Sequence, residues 1–157
     1  MHYVAGILLV VDIVLMLILD RTVQGHDLDY VAWATWLIAI LLVFLPMSTL
    51  RRKGQVPNGA RYIGTQALVD AGIYALVRHP QYLGWLLMYP VVFLFNPNWI
   101  LAVVGLLGVA CVYGFTMQED QRLIEKFGEA YRRYMQRVPR FNLLAGIIRL
   151  LGDRGRS

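Results

Sequence analysis

Residues 99–117 read WILAVVGLLGVACVYGFTM, an apolar run without a charged side chain. A helix that crosses the hydrocarbon core of a bilayer needs about 20 such residues. Residues 4–19, 31–49 and 82–95 are almost as apolar, and Asp12 is the only charge among them. The sequence therefore predicts an all-α, polytopic transmembrane helical bundle of about four spans, near residues 3–19, 31–50, 80–95 and 99–117.

The composition of the chain agrees with a membrane protein. Of the 157 residues, 58% are apolar and 16% are charged, whereas soluble domains average about 45–50% and about 25%. Cys111 has no second cysteine to pair with, so the sequence excludes a disulfide framework. The length suffices for one domain, and we expect residues 1–157 to form a single membrane domain.

Basic residues are distributed unevenly along the chain. With four spans, fourteen of the fifteen Lys and Arg fall on the side that carries both termini, and only Arg21 falls on the other side. The positive-inside rule then places both termini in the cytoplasm, together with a connector at 51–79 and a C-terminal region at 118–157. Topology and attraction to lipid headgroups explain the basic excess, and no nucleic-acid module favours a nucleic-acid partner.

Beyond the fourth span the pattern becomes that of a cytoplasmic amphipathic helix. Apolar residues recur at spacings of one, three and four, and charged residues occupy the opposite face. This helix should continue from the fourth span and end at Pro139, with Glu129 and Arg133 as an i,i+4 pair. Residues 141–151 are apolar but too few to span, so they should lie in the interface or fold back over the bundle.

Polar residues gather at the predicted cytoplasmic membrane surface in two patches. In the first patch, His79 precedes Pro80, which suits the first turn of a helix whose free N–H groups can hold an anion. In the second patch, Glu119 and Asp120 end the fourth span, where acids are costly unless they are solvated or paired. Taken alone, the first patch is also compatible with interfacial anchors, with Arg78 snorkelling, and the second with the start of a cytoplasmic extension.

Common catalytic and metal-binding motifs are missing from the sequence. No Gly-x-Gly-x-x-Gly follows a strand pattern, no Cys/His pair has zinc-ligand spacing, and there is no nucleophile elbow. We therefore predict no metal site. Inside the spans, Asp12 is a candidate functional acid, and Gly105, Gly108 and Ala110-x-x-x-Gly114 predict a close-packing face.

Six short motifs follow one another between Gln66 and Arg140. They are Gly72-Ile-Tyr74, Arg78-His79-Pro80-x-Tyr82-x-Gly84, Asn96-Pro97, Glu119-Asp120, Phe127-Gly128-x-x-Tyr131-x-x-Tyr134 and Arg137-Val138-Pro139. In this order they resemble the isoprenylcysteine carboxyl methyltransferase family and, more broadly, are similar to the membrane phospholipid methyltransferases. The resemblance covers roughly half of the chain.

The resemblance implies an enzyme that uses S-adenosylmethionine without a Rossmann domain and methylates a lipid-like or prenylated acceptor at the cytoplasmic membrane interface. It implies catalytic roles for His79 and Tyr82, which would orient the acceptor or act as a base for an amine. The cofactor-binding residues that it implies are Gln66, Ala67, Leu68, Val69, Tyr74, His79, Pro80, Gln81, Tyr82 and Glu119.

One position departs from the family pattern. Carboxyl methyltransferases of this family usually carry an Arg about one helical turn before the acidic pair, where it can hold the substrate carboxylate. Phe115 stands near that place here, and no Lys or Arg lies between Arg78 and Arg122. We expect Arg137 to be a substitute for the missing Arg, provided that the amphipathic helix folds back.

Three other functions remain open at this point. The missing Arg favours a phospholipid N-methyltransferase of the phosphatidylethanolamine type. A sterol-reductase-like enzyme would share a similar C-terminal half but would bind NADPH, and this chain is short for that class. A non-enzymatic membrane bundle would bind no S-adenosylmethionine.

Overall fold

A computed structural model describes residues 2–20, 27–55 and 65–154 of the chain. These residues form α-helices and one short 3-10 helix at Gly72–Ala75, and they contain no strand. The predicted all-α class is therefore confirmed. The helices are α1 (His2–Ile18), α2 (Asp27–Lys53), α3 (Pro80–Phe95), α4 (Trp99–Phe127), α5 (Glu129–Arg137) and α6 (Leu143–Arg154).

Two helices among the described residues are long and apolar enough to cross a membrane, at Leu28–Lys53 and Trp99–Phe127. Helices α1 and α3 are apolar but shorter, with 17 and 16 residues. Each of the four predicted spans thus coincides with a helix, while the four-span topology stays a prediction. Residues 21–26 of the predicted outer loop and 56–64 of the predicted connector lie outside the described residues.

The chain divides into two compact units. The first unit comprises Met1–Leu41 and Tyr82–Gln118, and the second unit comprises Leu42–Gln81 and Glu119–Ser157. The single membrane domain over residues 1–157 stays a prediction.

In the first unit, Tyr89 of α3 connects two other helices. Its side chain is 2% exposed, and its hydroxyl donates to the carbonyl of Ala5 in α1 over 2.9 Å. Its ring packs so closely on α4 that a Cβ atom at Gly108 would lie 2.1 Å from Cε1 of Tyr89. Gly108 therefore belongs to the predicted close-packing face. Gly114 does not, since a Cβ atom there would meet nothing within 4 Å in the part of the chain that the structure describes.

The predicted turn Asn96-Pro97-Asn98 joins α3 to α4 as a helical hairpin. The Nδ2 atom of Asn96 donates to the carbonyl of Leu19 over 3.0 Å and so satisfies a backbone acceptor just beyond the end of α1. The Oδ1 atom of Asn98 accepts from the backbone N–H of Ile100 over 2.9 Å, an N-cap interaction that starts α4.

The predicted continuous helix from the fourth span to Pro139 is wrong at Gly128. Helix α4 ends at Phe127, Gly128 has a φ of 57°, and α5 begins at Glu129. A positive φ suits glycine because it has no Cβ atom to clash, so the chain changes direction here at little cost. The predicted pair of Glu129 and Arg133 is present at 4.0 Å.

Most of the predicted apolar segment at 141–151 lies in helix α6, which packs on the connector of the second unit. A Cβ atom at Gly146 would lie 2.1 Å from the carbonyl oxygen of Leu76, so only glycine allows this approach. Arg149 donates to the carbonyl of Ala75, which ends the 3-10 helix. Leu144 and Ile148 of α6 remain exposed.

Candidate active site

Asp120 is the centre of a buried polar cluster in the second unit, and it is 3% exposed. Its Oδ1 atom lies 2.7 Å from Nε2 of His79 and accepts from the hydroxyl of Tyr131 over 2.6 Å. Its Oδ2 atom accepts from Nη2 of Arg140 over 2.8 Å and lies 3.6 Å from Nη2 of Arg78. These five residues are called the Asp120 cluster below.

Two backbone segments carry the basic members of this cluster. The N–H of Arg78 donates to the carbonyl of Pro139 over 2.9 Å, and the N–H of His79 donates to that of Arg140 over 3.3 Å. The segment before α3 and the segment after α5 therefore run side by side. Because Pro80 starts α3 and Pro139 follows α5, neither segment continues as a helix, and both stay available for this pairing.

Two tyrosines of α5 are buried at the cluster: Tyr131, which belongs to it, and Tyr134, which lies next to Tyr131. Tyr131 is 1% exposed and Tyr134 is 2% exposed, and the hydroxyl of Tyr134 donates to the carbonyl of Tyr74 over 2.7 Å. Burial, followed by the hydrogen bond to Asp120, raises the pKa of Tyr131, and burial raises the pKa of Tyr134. Both hydroxyls are therefore neutral hydrogen-bond donors at neutral pH.

The Asp120 cluster has more positive than negative charge. Arg78 and Arg140 contribute two positive charges, because arginine stays protonated in proteins, and Asp120 contributes one negative charge. These three charges sum to +1. A ligand with a negative charge would be attracted to this positive site. Guanidinium groups suit carboxylate and phosphate because they can donate two parallel hydrogen bonds.

The structure places the two members of the predicted acidic pair differently. Asp120 is buried in the cluster, whereas Glu119 has a side chain that is 19% exposed and lies 2.8 Å from Nη2 of Arg122. The sequence predicts Glu119 as the cofactor-binding member of the pair, and that role stays a prediction. Asp120 is a residue of the site that the sequence does not predict.

The predicted connector residues lie in the same unit as the cluster. The N–H groups of Gln66 and Ala67 donate to the carbonyl of Gly54 over 2.8 and 3.2 Å, which closes the connector onto the residue after α2. Leu68 packs against the apolar group formed by Tyr131, Tyr134 and Val138. Val69 is buried, and the Gln66 side chain is exposed.

The other predicted site residues are distributed over both units. Pro80, the first residue of α3, is buried, and Gln81 is partly buried; both belong to the second unit. Tyr82 belongs to the first unit and packs against its core. Arg137 has a side chain that is 63% exposed and lies 3.6 Å from Oδ2 of Asp70. The site roles of all four residues stay predictions.

Arg140 is a residue of the cluster that sequence reasoning missed. It follows Pro139 directly, at the end of the last motif, and the only local signal is that the proline prevents α5 from continuing. The motifs include Arg78 and Tyr131, but the sequence predicts no role at the site for either residue.

Comparison with known proteins gives the class of this chain. Residues 28–130 match the family model described as phospholipid methyltransferase. The chain belongs to this family, which confirms the resemblance that its motifs carry. The matched range includes His79 and Asp120 and ends just before Tyr131.

The names of the curated relatives are more specific than the description of the family model. Proteins named protein-S-isoprenylcysteine O-methyltransferase from Mus musculus and Homo sapiens are 29% and 28% identical to this chain over 88% of its length. A protein of the same name from Xenopus laevis is 26% identical over 72% of the chain. The chain spans 59% of the length of the mouse and human relatives. No solved structure gives a significant match.

Proposed function

We propose that this chain is an S-adenosylmethionine-dependent methyltransferase that methylates the carboxylate of a prenylated, lipid-like acceptor at the cytoplasmic face of a membrane. Membership of the phospholipid methyltransferase family supports methyl transfer, and the names of the curated relatives support an isoprenylcysteine acceptor. The proposal includes a multi-pass chain with both termini in the cytoplasm, as the distribution of basic residues indicates.

The positive charge of the Asp120 cluster carries this proposal. S-adenosylmethionine has a carboxylate on its methionine part, and the proposed acceptor has a carboxylate as its reacting group. Arg140 can hold one of these anions, since its side chain is 24% exposed while Asp120 fixes its position. Glu119 can accept hydrogen bonds from ribose hydroxyls or from an amino group. The residues present therefore fit the cofactor.

The main contribution of the protein to methyl transfer would be to position the two reactants. When bound, S-adenosylmethionine would supply an electrophilic methyl group on its sulfonium, with the neutral thioether S-adenosylhomocysteine as the leaving group. A carboxylate acceptor is already ionised at neutral pH, because the reference pKa of such groups is about 3–4. The residues of the chain then need only to bind, orient and desolvate the acceptor. Asp120 acts on Arg140 and His79, which it holds in place.

A phospholipid amine is the second candidate acceptor, and Phe115 is the observation that favours it. This residue stands near the place where the resemblance implies a carboxylate-binding Arg, and it is 7% exposed in the core of the first unit. An amine acceptor must lose a proton before transfer, and His79 would be the base. The two acceptors differ in the bond formed, an ester or an amine.

The bond formed can be measured directly. The detergent-purified full chain is incubated with S-adenosylmethionine carrying a tritiated methyl group, and with either N-acetyl-S-farnesylcysteine or phosphatidylethanolamine. Base treatment releases methanol from methyl esters and leaves methylamines intact. The proposal predicts base-labile label on the farnesylcysteine. Base-stable label on phosphatidylethanolamine would identify the second candidate, and no label on either acceptor would contradict both.

Arg140→Gln and Arg133→Gln form the matched pair for this assay. Both changes remove one guanidinium charge, but the Arg133 side chain is 74% exposed and lies beside Glu129. We expect Arg140→Gln to reduce kcat/KM by roughly tenfold or more, the effect of losing one charged hydrogen bond. Arg133→Gln should leave it unchanged, and equal effects would remove Arg140 from the site.

A further inference from the structure

A surface cavity lies in the second unit where α4 meets α5, and it shares Arg78 with the Asp120 cluster. The cavity has a volume of about 340 Å³ and is called the α4–α5 cleft below. It is lined by Arg78, Ile124, Glu129, Arg132, Met135 and Gln136. Gly128, with its φ of 57°, lies between the two helices.

Arg78 forms the fixed part of the cleft. Its side chain is 8% exposed, its Nη1 atom donates to the carbonyl of Met135 over 2.7 Å, and its Nη2 atom lies 3.6 Å from Oδ2 of Asp120. Among the described residues, its Nε atom has no hydrogen-bond partner. Asp120 is shared with Arg140 at a shorter distance, so the charge of Arg78 is only partly compensated.

Helix α5 supplies the exposed part of the cleft. Glu129, Arg132 and Gln136 follow one another at spacings of three and four, which places them on one face of the helix. Arg132 is exposed and adds a second guanidinium. Two arginines and one glutamate give the lining a net charge of +1, and Ile124 and Met135 add apolar surface.

We infer that the α4–α5 cleft binds an anionic group of the phosphate class. A tetrahedral phosphate can present separate oxygens to Arg78 on one wall and to Arg132 and Gln136 on the other. Ile124 and Met135 would contact an apolar part of the same molecule. The phosphate can belong to a lipid headgroup or to a soluble phosphomonoester. The inference does not rest on methyl transfer, although Arg78 also belongs to the Asp120 cluster.

The probes are dihexanoyl phosphatidic acid, dihexanoyl phosphatidylcholine and inorganic phosphate, titrated into the detergent-purified full chain by calorimetry. The first probe has an exposed phosphate monoester, and the second has a zwitterionic headgroup with the same chains. We expect saturable binding of phosphatidic acid and binding of phosphatidylcholine that is at least tenfold weaker. If inorganic phosphate competes at a similar concentration, the site recognises soluble phosphates; if it does not compete, the site recognises lipid. Both results support an anion site.

Two matched pairs of variants locate the binding. Arg132→Gln should weaken phosphatidic acid binding about tenfold, the effect of one charged hydrogen bond, whereas its neighbour Arg133→Gln should change it less than about twofold. Glu129→Gln should tighten binding because it removes a repulsive charge from the lining, and Glu125→Gln, outside the lining, should not.

Two results would overturn the inference. One is that neither phosphatidic acid nor inorganic phosphate binds. The other is that Arg132→Gln and Arg133→Gln weaken binding equally, which indicates attraction by net charge alone. Methyl transfer measured on Arg132→Gln keeps the two proposals apart, because we expect it to stay at the level of the unmodified chain.

Discussion

The Oδ1 atom of Asp120 lies 2.7 Å from the Nε2 atom of His79, although the two residues are 41 positions apart in the chain. This contact ties α4 to the segment before α3, and Tyr131 reaches the same Oδ1 atom from α5. Three separate segments of the second unit thus meet at one carboxylate. The stability of this unit and the proposed chemistry should both depend on Asp120.

Asp120→Asn should lower the free energy of unfolding by about 3–5 kcal/mol, because removing one member of a buried ionic group leaves the others uncompensated. Glu119→Gln is the matched control at the adjacent position. It removes a partly exposed pair with Arg122 and should cost less than about 1 kcal/mol. Denaturant unfolding followed by circular dichroism measures both changes. Equal losses for the two variants would show that Asp120 does not organise the unit.

Tyr131→Phe removes the hydroxyl that donates to Asp120 and should cost about 1.5–3 kcal/mol at neutral pH. The pKa of Tyr131 is raised in the folded chain, chiefly by burial. Its neutral form is therefore favoured by folding, and this stabilisation is complete below the unfolded pKa of about 10 and is lost as the pH rises above it. The stability difference between the unmodified chain and Tyr131→Phe should stay constant up to about pH 9 and shrink as the pH rises above about 10. A difference that stays constant with pH would contradict the buried, neutral hydroxyl.

Gly146→Ala should loosen α6 from the connector. The added Cβ atom would lie 2.1 Å from the carbonyl oxygen of Leu76, a backbone atom that cannot simply rotate away. We expect a loss of about 1–3 kcal/mol and faster hydrogen exchange in α6. Gly152→Ala on the same helix is the control, because its Cβ atom would meet no atom of the described residues within 4 Å. Gly152→Ala should stabilise α6 by about 0.5–1 kcal/mol. Equal rates of hydrogen exchange in α6 for the two variants would contradict the prediction.

Gly108→Ala should disturb the first unit in the same way. Its Cβ atom would lie 2.1 Å from Cε1 of Tyr89, so the ring must move and its hydroxyl would lose the bond to Ala5. A loss of about 1–3 kcal/mol is expected for such overpacking. Gly114→Ala in the same helix has open space and should be neutral or slightly stabilising. Thermal melting in detergent compares the two, and a tolerated Gly108→Ala would show that the contact with Tyr89 is loose.

The helices could be predicted from the sequence because apolar runs and helical periodicity are local signals. The break at Gly128 could not, since the apolar spacing of Phe127 and Tyr131 continues across it without interruption. Only the backbone shows that Gly128 adopts a positive φ and ends α4. A glycine inside a periodic pattern is compatible with both outcomes.

The candidate site was predictable only in part. The motif with His79 and the acidic pair pointed to the correct region, but adjacent residues of a helix face different directions, and the sequence does not say which acid faces inward. Asp120 does so because Tyr131 and Arg140 lie on that side. These contacts join residues 11 and 20 positions apart, across a turn and the end of α5, where sequence patterns carry no information on distance.

Calorimetric titration of the detergent-purified full chain with S-adenosylmethionine measures the binding on which the proposed function depends. We expect saturable binding to the unmodified chain and its loss in His79→Ala, with the helical circular dichroism signal retained. Arg133→Gln should bind like the unmodified chain. No saturable binding to the unmodified chain would contradict the proposed methyl donor, and unchanged affinity in His79→Ala would contradict its placement at the Asp120 cluster.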